Sequence, residues 1–113
     1  MQNAHRQIIH GVLNPESVTG RNKYWNALPY TPWDLREHLE GQFEEWMNWD
    51  NRGNVKDCWT LDHIIPQSHF YWESLEDRDF QECWALSNLR PLCALKNVSK
   101  GNRLTQQYLL ARV

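Results

Sequence analysis

The sequence predicts an α+β domain, and three features carry the prediction. Apolar residues at helical spacing fill much of the first half. A short run of β-formers, Cys58-Trp59-Thr60-Leu61-Asp62-His63-Ile64-Ile65, is closed by Pro66. A second short run, Leu89 to Cys93, leads directly into helix formers from Ala94 onward. At 113 residues the chain fits one compact domain, and its 41% hydrophobic content is enough for a single core. The expected division is a helical N-terminal part over 1–55, a core of two strands and a helix over 56–104, and a C-terminal helix over 105–113.

Taken in order, residues 3–13 read as a helix with Ile8, Ile9, Val12 and Leu13 on one side, ending near Asn14-Pro15. Gly20 to Tyr30 reads as an irregular or short-helical connector. Thr31 is a strong start signal, with Pro32 at the first helical position and Asp34 three residues after the cap. Leu35, Leu39, Phe43, Trp46 and Met47 then predict an amphipathic helix over 34–47 whose acidic face is solvated. The turn-rich stretch Asp50-Asn51-Arg52-Gly53-Asn54 stops it. The first strand spans 58–65, and 67–83 forms a polar excursion in which Phe70, Tyr71 and Trp72 read as local core. Pro91 limits the returning strand to an edge or a bulge. Gly101 and Asn102 interrupt the helix that follows.

Composition excludes several classes. The apolar runs are only a few residues long, too short to cross a membrane, and the first fifteen residues carry no pattern of a signal peptide. Cys58, Cys83 and Cys93 form no CxxC pair, which argues against a disulfide framework or a four-cysteine zinc site and for reduced thiols inside a cell. Most of the seven tryptophans are expected in the core. A net charge of −2 argues at first against a nucleic-acid binder. The charge is unevenly spread, however: thirteen acids face four bases over residues 34–82, whereas residues 83–113 hold five bases and no acid. Arg90, Lys96, Lys100 and Arg103 in that basic third are candidates for phosphate contact.

Three features converge on one chemistry. Asp62-His63 lies at the end of the first strand, Asn88 precedes the second, and Asn97 falls on the helix beyond it. Hydrolysis of a phosphodiester needs a base for water and a cation to offset charge at the phosphate. A neutral imidazole suits the first task near neutral pH. A carboxylate and an amide oxygen are hard ligands that suit magnesium-like ions. Neighbouring strand residues point to opposite faces, so Asp62 and His63 can share a site only where the strand ends or twists. Pro66 makes such an end plausible. His10, His38 and His69 read as structural or surface residues, and of the three His69, six residues past His63 on the polar loop, is the one candidate for a substrate contact.

Trp59-Thr60-Leu61-Asp62-His63-Ile64-Ile65-Pro66-Gln67-Ser68, Ser87-Asn88-Leu89-Arg90-Pro91-Leu92 and Lys96-Asn97-Val98-Ser99-Lys100-Gly101-Asn102 together resemble the HNH endonuclease family. Asp62 to Ser68 also resembles the HNH domain of RNA-guided CRISPR nucleases, and His38 to Asn51 is similar to small HNH proteins of bacteriophages. The resemblance implies a ββα-metal (His-Me finger) core with additional N-terminal helices. It implies His63 as general base, Asn88 as the residue that holds the loop and orients the imidazole, and Asp62 and Asn97 as ligands of one divalent ion. Asn102 is the rival to Asn97. Asn in place of the family's frequent His favours Mg²⁺ or Mn²⁺, and the missing CxxC pairs imply no structural zinc.

The implied activity is metal-dependent DNA cleavage, nicking by default and of low sequence specificity, in the cytoplasm of a bacterium or a phage-infected cell. The expected partner is DNA; similar proteins serve either phage packaging, where packaging machinery would be a protein partner, or mobile-element homing, and both roles stay open. The alternatives are a non-cleaving module that binds DNA or a partner protein, and a nuclease acting mainly on RNA.

Overall fold

The computed structural model describes residues 2–100. Its elements are α1 (Gln2–Leu13), α2 (Lys23–Ala27), α3 (Pro32–Glu40), β1 (Trp59–His63), α4 (Arg78–Cys83), β2 (Leu89–Cys93) and α5 (Ala94–Lys100). The fold is mixed helix and strand, with β1 and β2 paired antiparallel. The helix expected over 105–113, together with Asn102 and Arg103, lies outside the described residues, as does the side chain of Lys100.

Helix α1 forms because Ala4, Ile8 and Val12 recur every fourth residue, and all three are buried with Ile9 beside them. It packs on α2 and α3. The α1–α2 approach is close because position 11 is glycine: a Cβ there would lie 2.1 Å from Trp25 Nε1. Asn22 caps α2 by accepting from the amides of Tyr24 and Trp25, both at 3.1 Å. The signal at Thr31 becomes a complete capping box with Asp34, and Pro32 opens α3.

Helix α3 ends at Glu40, short of the 34–47 expected from periodicity. The side chain of Gln42 turns back to donate to the carbonyls of His38 and Leu89, which ties the helix end to β2. Phe43 then packs against Trp49 and Trp59 with ring centroids 5.4 and 4.9 Å apart. The Trp49 indole donates to Glu40 at 2.8 Å and lies beneath the Arg36 guanidinium. Burying this aromatic cluster outweighs continuation of the helix, and Trp46 is left partly in solvent.

Every residue of β1 is buried. The ladder sets Trp59 opposite Cys93, Leu61 opposite Pro91 and His63 opposite Leu89. A two-stranded sheet has only edge strands, so Pro91 is tolerated within β2. The excursion over 67–83 contains α4, whose Phe80 and Cys83 are fully buried. Phe70 joins the core and Trp72 meets Phe80 edge-on at 5.2 Å, whereas Tyr71 faces solvent. Trp25, Trp59 and Trp84 are core residues, while Trp33 is exposed. Cys58, Cys83 and Cys93 are free thiols, and burial, helped by the charge of Asp79, pushes the Cys83 thiol up to about 12. No helix among the described residues is long and apolar enough to cross a membrane.

The contact at Gly11 gives a direct test of the α1–α2 interface. Gly11→Ala should lower stability by about 1–2 kcal/mol, because overpacking against the Trp25 ring exceeds the gain in helix propensity. Urea denaturation followed by tryptophan fluorescence measures the change, and a neutral or stabilising result would show that α1 and α2 do not meet this closely.

Candidate functional site

The chain leaving β1 is held by Asn88, the last residue of a short 3-10 turn that leads into β2. Its Oδ1 accepts from the Ile65 amide at 2.7 Å, and its Nδ2 donates to the carbonyls of Cys83 at 2.9 Å and Ile65 at 3.2 Å. Its backbone carbonyl accepts from the Ile64 amide at 2.9 Å. These bonds take over from the ladder after His63, so the strand, Trp59–His63, is shorter than the 58–65 expected. Asn88 itself is 6% exposed and stands behind the surface.

Because the strand ends there, Asp62 and His63 line the same cleft despite being sequence neighbours. The cleft has a volume of about 310 Å³, and Thr60, Gln67 and Asn97 also line it. The His63 imidazole is nearly perpendicular to the Trp84 indole, with centroids 4.5 Å apart. Trp84 is fully buried, and its carbonyl accepts from the Tyr30 hydroxyl at 2.6 Å. The ring of His63 is thereby backed by a rigid wall.

Asp62 is 2% exposed and sits directly opposite Arg90 in the ladder. Arg90 Nε donates to Asp62 Oδ2 at 2.7 Å. A carboxylate this deeply buried requires such a partner, since an uncompensated charge there would be strongly destabilising. Arg90, expected to face phosphate, thus has its Nε engaged within the protein. Asn97 enters from α5, which packs across both strands, and its Nδ2 lies 3.5 Å from the Leu61 carbonyl.

The structure therefore brings together Asp62, His63 and Asn97, with Asn88 fixing the backbone behind them. It does not bring Lys96 to the cleft: that residue is exposed and lines a separate depression with Trp46 and Leu95. His69 is exposed and does not line the cleft, His38 is bonded to the Leu89 carbonyl, and His10 is on the surface. Among the described residues no group of three or more His, Cys, Asp or Glu could hold a metal ion. The Asp62 carboxylate and the Asn97 amide supply hard oxygen donors on one cleft, a set that fits a cation retaining most of its water.

One cleft residue escaped the sequence reading. His5 projects from α1, with its ring centroid 6.2 Å from that of His63 and 5.9 Å from that of Trp84. Its Nδ1 lies 3.4 Å from Gln67 Nε2. Burial, reinforced by the positive charge of Arg52, holds the His5 imidazole below its ordinary value of 6.5. The only hint in the sequence is that His5 falls one turn before Ile9, at the margin of the buried stripe.

No protein-family model matches the chain, and no solved structure matches it. A protein of Acanthamoeba polyphaga mimivirus, described as uncharacterized protein L426, is 33% identical over 70 residues, which is 62% of this chain and 29% of that protein. The chain thus spans less than a third of the relative's length.

Two outcomes follow from the geometry. Asn88→Ala removes three side-chain hydrogen bonds and strands the Ile65 amide and Cys83 carbonyl, so stability should fall by about 2–4 kcal/mol in urea denaturation. Asn88→Asp, which accepts but does not donate when ionised, should recover little of that loss. The depressed His5 value sets the sign of a pH effect. The unfolded chain takes up the proton near 6.5 and the folded chain only lower, so His5 contributes stability above 6.5 that is lost as pH falls below it. Wild type should therefore lose more melting temperature than His5→Gln between about pH 7.5 and pH 5. Equal losses would show that His5 titrates as it does in the unfolded chain.

Proposed function

We propose that this protein is an HNH-type, metal-dependent DNA endonuclease in which β1, β2 and α5 form the ββα-metal core. The observation that carries the reading is that Asp62, His63 and Asn97, from one strand end and one helix, line a single cleft. The amide of Asn88 supports it by holding the loop beyond the candidate base. His63 takes a proton from water, whose oxygen attacks phosphorus as the bond to the 3′-oxygen breaks. The departing 3′-oxygen takes a proton from solvent water, so the products are a 5′-phosphate and a 3′-hydroxyl. Asp62 and Asn97 would hold a magnesium-like ion, which supplies positive charge next to the phosphate. One such site cuts one strand, so nicking is the expected outcome.

The charge pattern supports weak binding by this domain alone. Of the basic residues expected to meet phosphate, Arg90 is paired with Asp62 and Lys96 lies away from the cleft. A small electrostatic footprint implies modest affinity and loss of binding as salt rises.

A second reading, a DNA-binding module that does not cut, is favoured by the Asp62–Arg90 ion pair, since that guanidinium occupies one oxygen of the candidate metal ligand. Supercoiled plasmid with Mg²⁺ or Mn²⁺ discriminates the two. The endonuclease should convert it to the open circle, and His63→Ala should slow that by roughly a hundredfold or more. Mn²⁺ should raise the melting temperature of wild type and do so less for Asp62→Asn and Asn97→Ala. Cutting by His63→Ala at the wild-type rate sinks the assignment. Retention of DNA with no cutting and no metal-dependent stabilisation establishes the module instead.

A further inference from the structure

We infer that His5, carried by α1 outside the two-strand, one-helix core, is a second catalytic residue of the cleft and donates a hydrogen bond from Nε2 to the phosphodiester; the inference rests on the endonuclease reading above. His5 lines the cleft that holds Asp62, His63 and Asn97. The Gln67 carboxamide selects the tautomer: with its nitrogen, which only donates, turned toward His5 at 3.4 Å as in this structure, Nδ1 is the acceptor. The proton of the neutral ring then resides on Nε2, the nitrogen remote from Gln67.

The surroundings keep the ring in that neutral, donating form. Half-burial and the nearby Arg52 both disfavour a second proton. His63 and Trp84, the aromatic groups within ring-contact distance, hold His5 in place without offering it a carboxylate. A fixed neutral donor at the wall of a phosphate-sized cleft stabilises charge that grows on phosphate oxygens during attack, and it needs no reorganisation to do so. Among the described residues that line the cleft none is a lysine or arginine, and a neutral donor supplies part of what such a side chain would give.

A purely structural role would ask only for a flat ring against Trp84. Three measurements separate the two roles. His5→Phe keeps the ring and removes the donor, so nicking should fall about a hundredfold, mainly in kcat, with little change in melting temperature. His5→Gln restores an amide donor at similar reach and should recover activity to within about tenfold of wild type. In labelled wild-type protein without divalent ion, titration with a phosphorothioate dinucleotide should shift the His5 imidazole resonance. Full activity in His5→Phe overturns the inference, as does failure of His5→Gln to exceed His5→Phe when both are folded. If wild type cuts no DNA with any divalent ion, the endonuclease reading fails on its own, and the titration decides: a His5 shift upholds the phosphodiester contact and an unchanged resonance overturns it.

Discussion

A buried amide holds the exit of β1 in place. After His63 the ladder with β2 runs out, and the chain must turn toward Pro66 with the backbone groups of Ile64 and Ile65 still to be satisfied. Asn88 satisfies them with its own carbonyl and both ends of its side chain, and a further bond reaches Cys83 at the end of α4. Unpaired backbone groups in a half-buried turn are expensive, so this set of bonds selects one conformation of the turn. The direction in which His63 faces, and its sharing of a cleft with Asp62, follow from where that turn begins.

The second constraint is electrostatic. A carboxylate at 2% exposure is held by a cross-strand guanidinium, and register alone puts the two opposite one another. The pairing changes the meaning of the basic C-terminal third of the chain. Arg90 adds to the positive count, yet its charge is directed at the protein's own acid. The net charge of −2 is therefore a poor guide to what the cleft attracts, and so is the bare tally of bases downstream of residue 82.

Much of the fold was legible because local chemistry and tertiary packing agree there. Thr31-Pro32 with Asp34 is a complete local instruction, and β2 runs over Leu89–Cys93, as its β-formers predict. The expectation failed where distant groups compete with local pattern. The periodic apolar residues after Glu40 continue a helical stripe on paper, but Phe43 finds a better place beside Trp49 and Trp59. The strand was read two residues too long at its C-terminal end because Ile64 and Ile65 are good β-formers whose partners turn out to be one asparagine. In the cleft, Asp62 and His63 are neighbours but Asn97 follows 34 residues after His63, and the three were grouped through the family resemblance of the motifs that carry them. His5 could not be, since its proximity to His63 exists only after α1 has docked against the rest of the molecule.

The docking of α1 also bears on when the cleft can exist. Its walls come from residue 5, from the end of β1 and from α5, which is nearly the full span of the described chain. A ribosome that has released the first strand has made Asp62 and His63 but neither the asparagine that fixes their turn nor the helix that closes the far wall. Any reactivity the cleft has is thus withheld from the growing polypeptide until α5 has joined α1 and the end of β1.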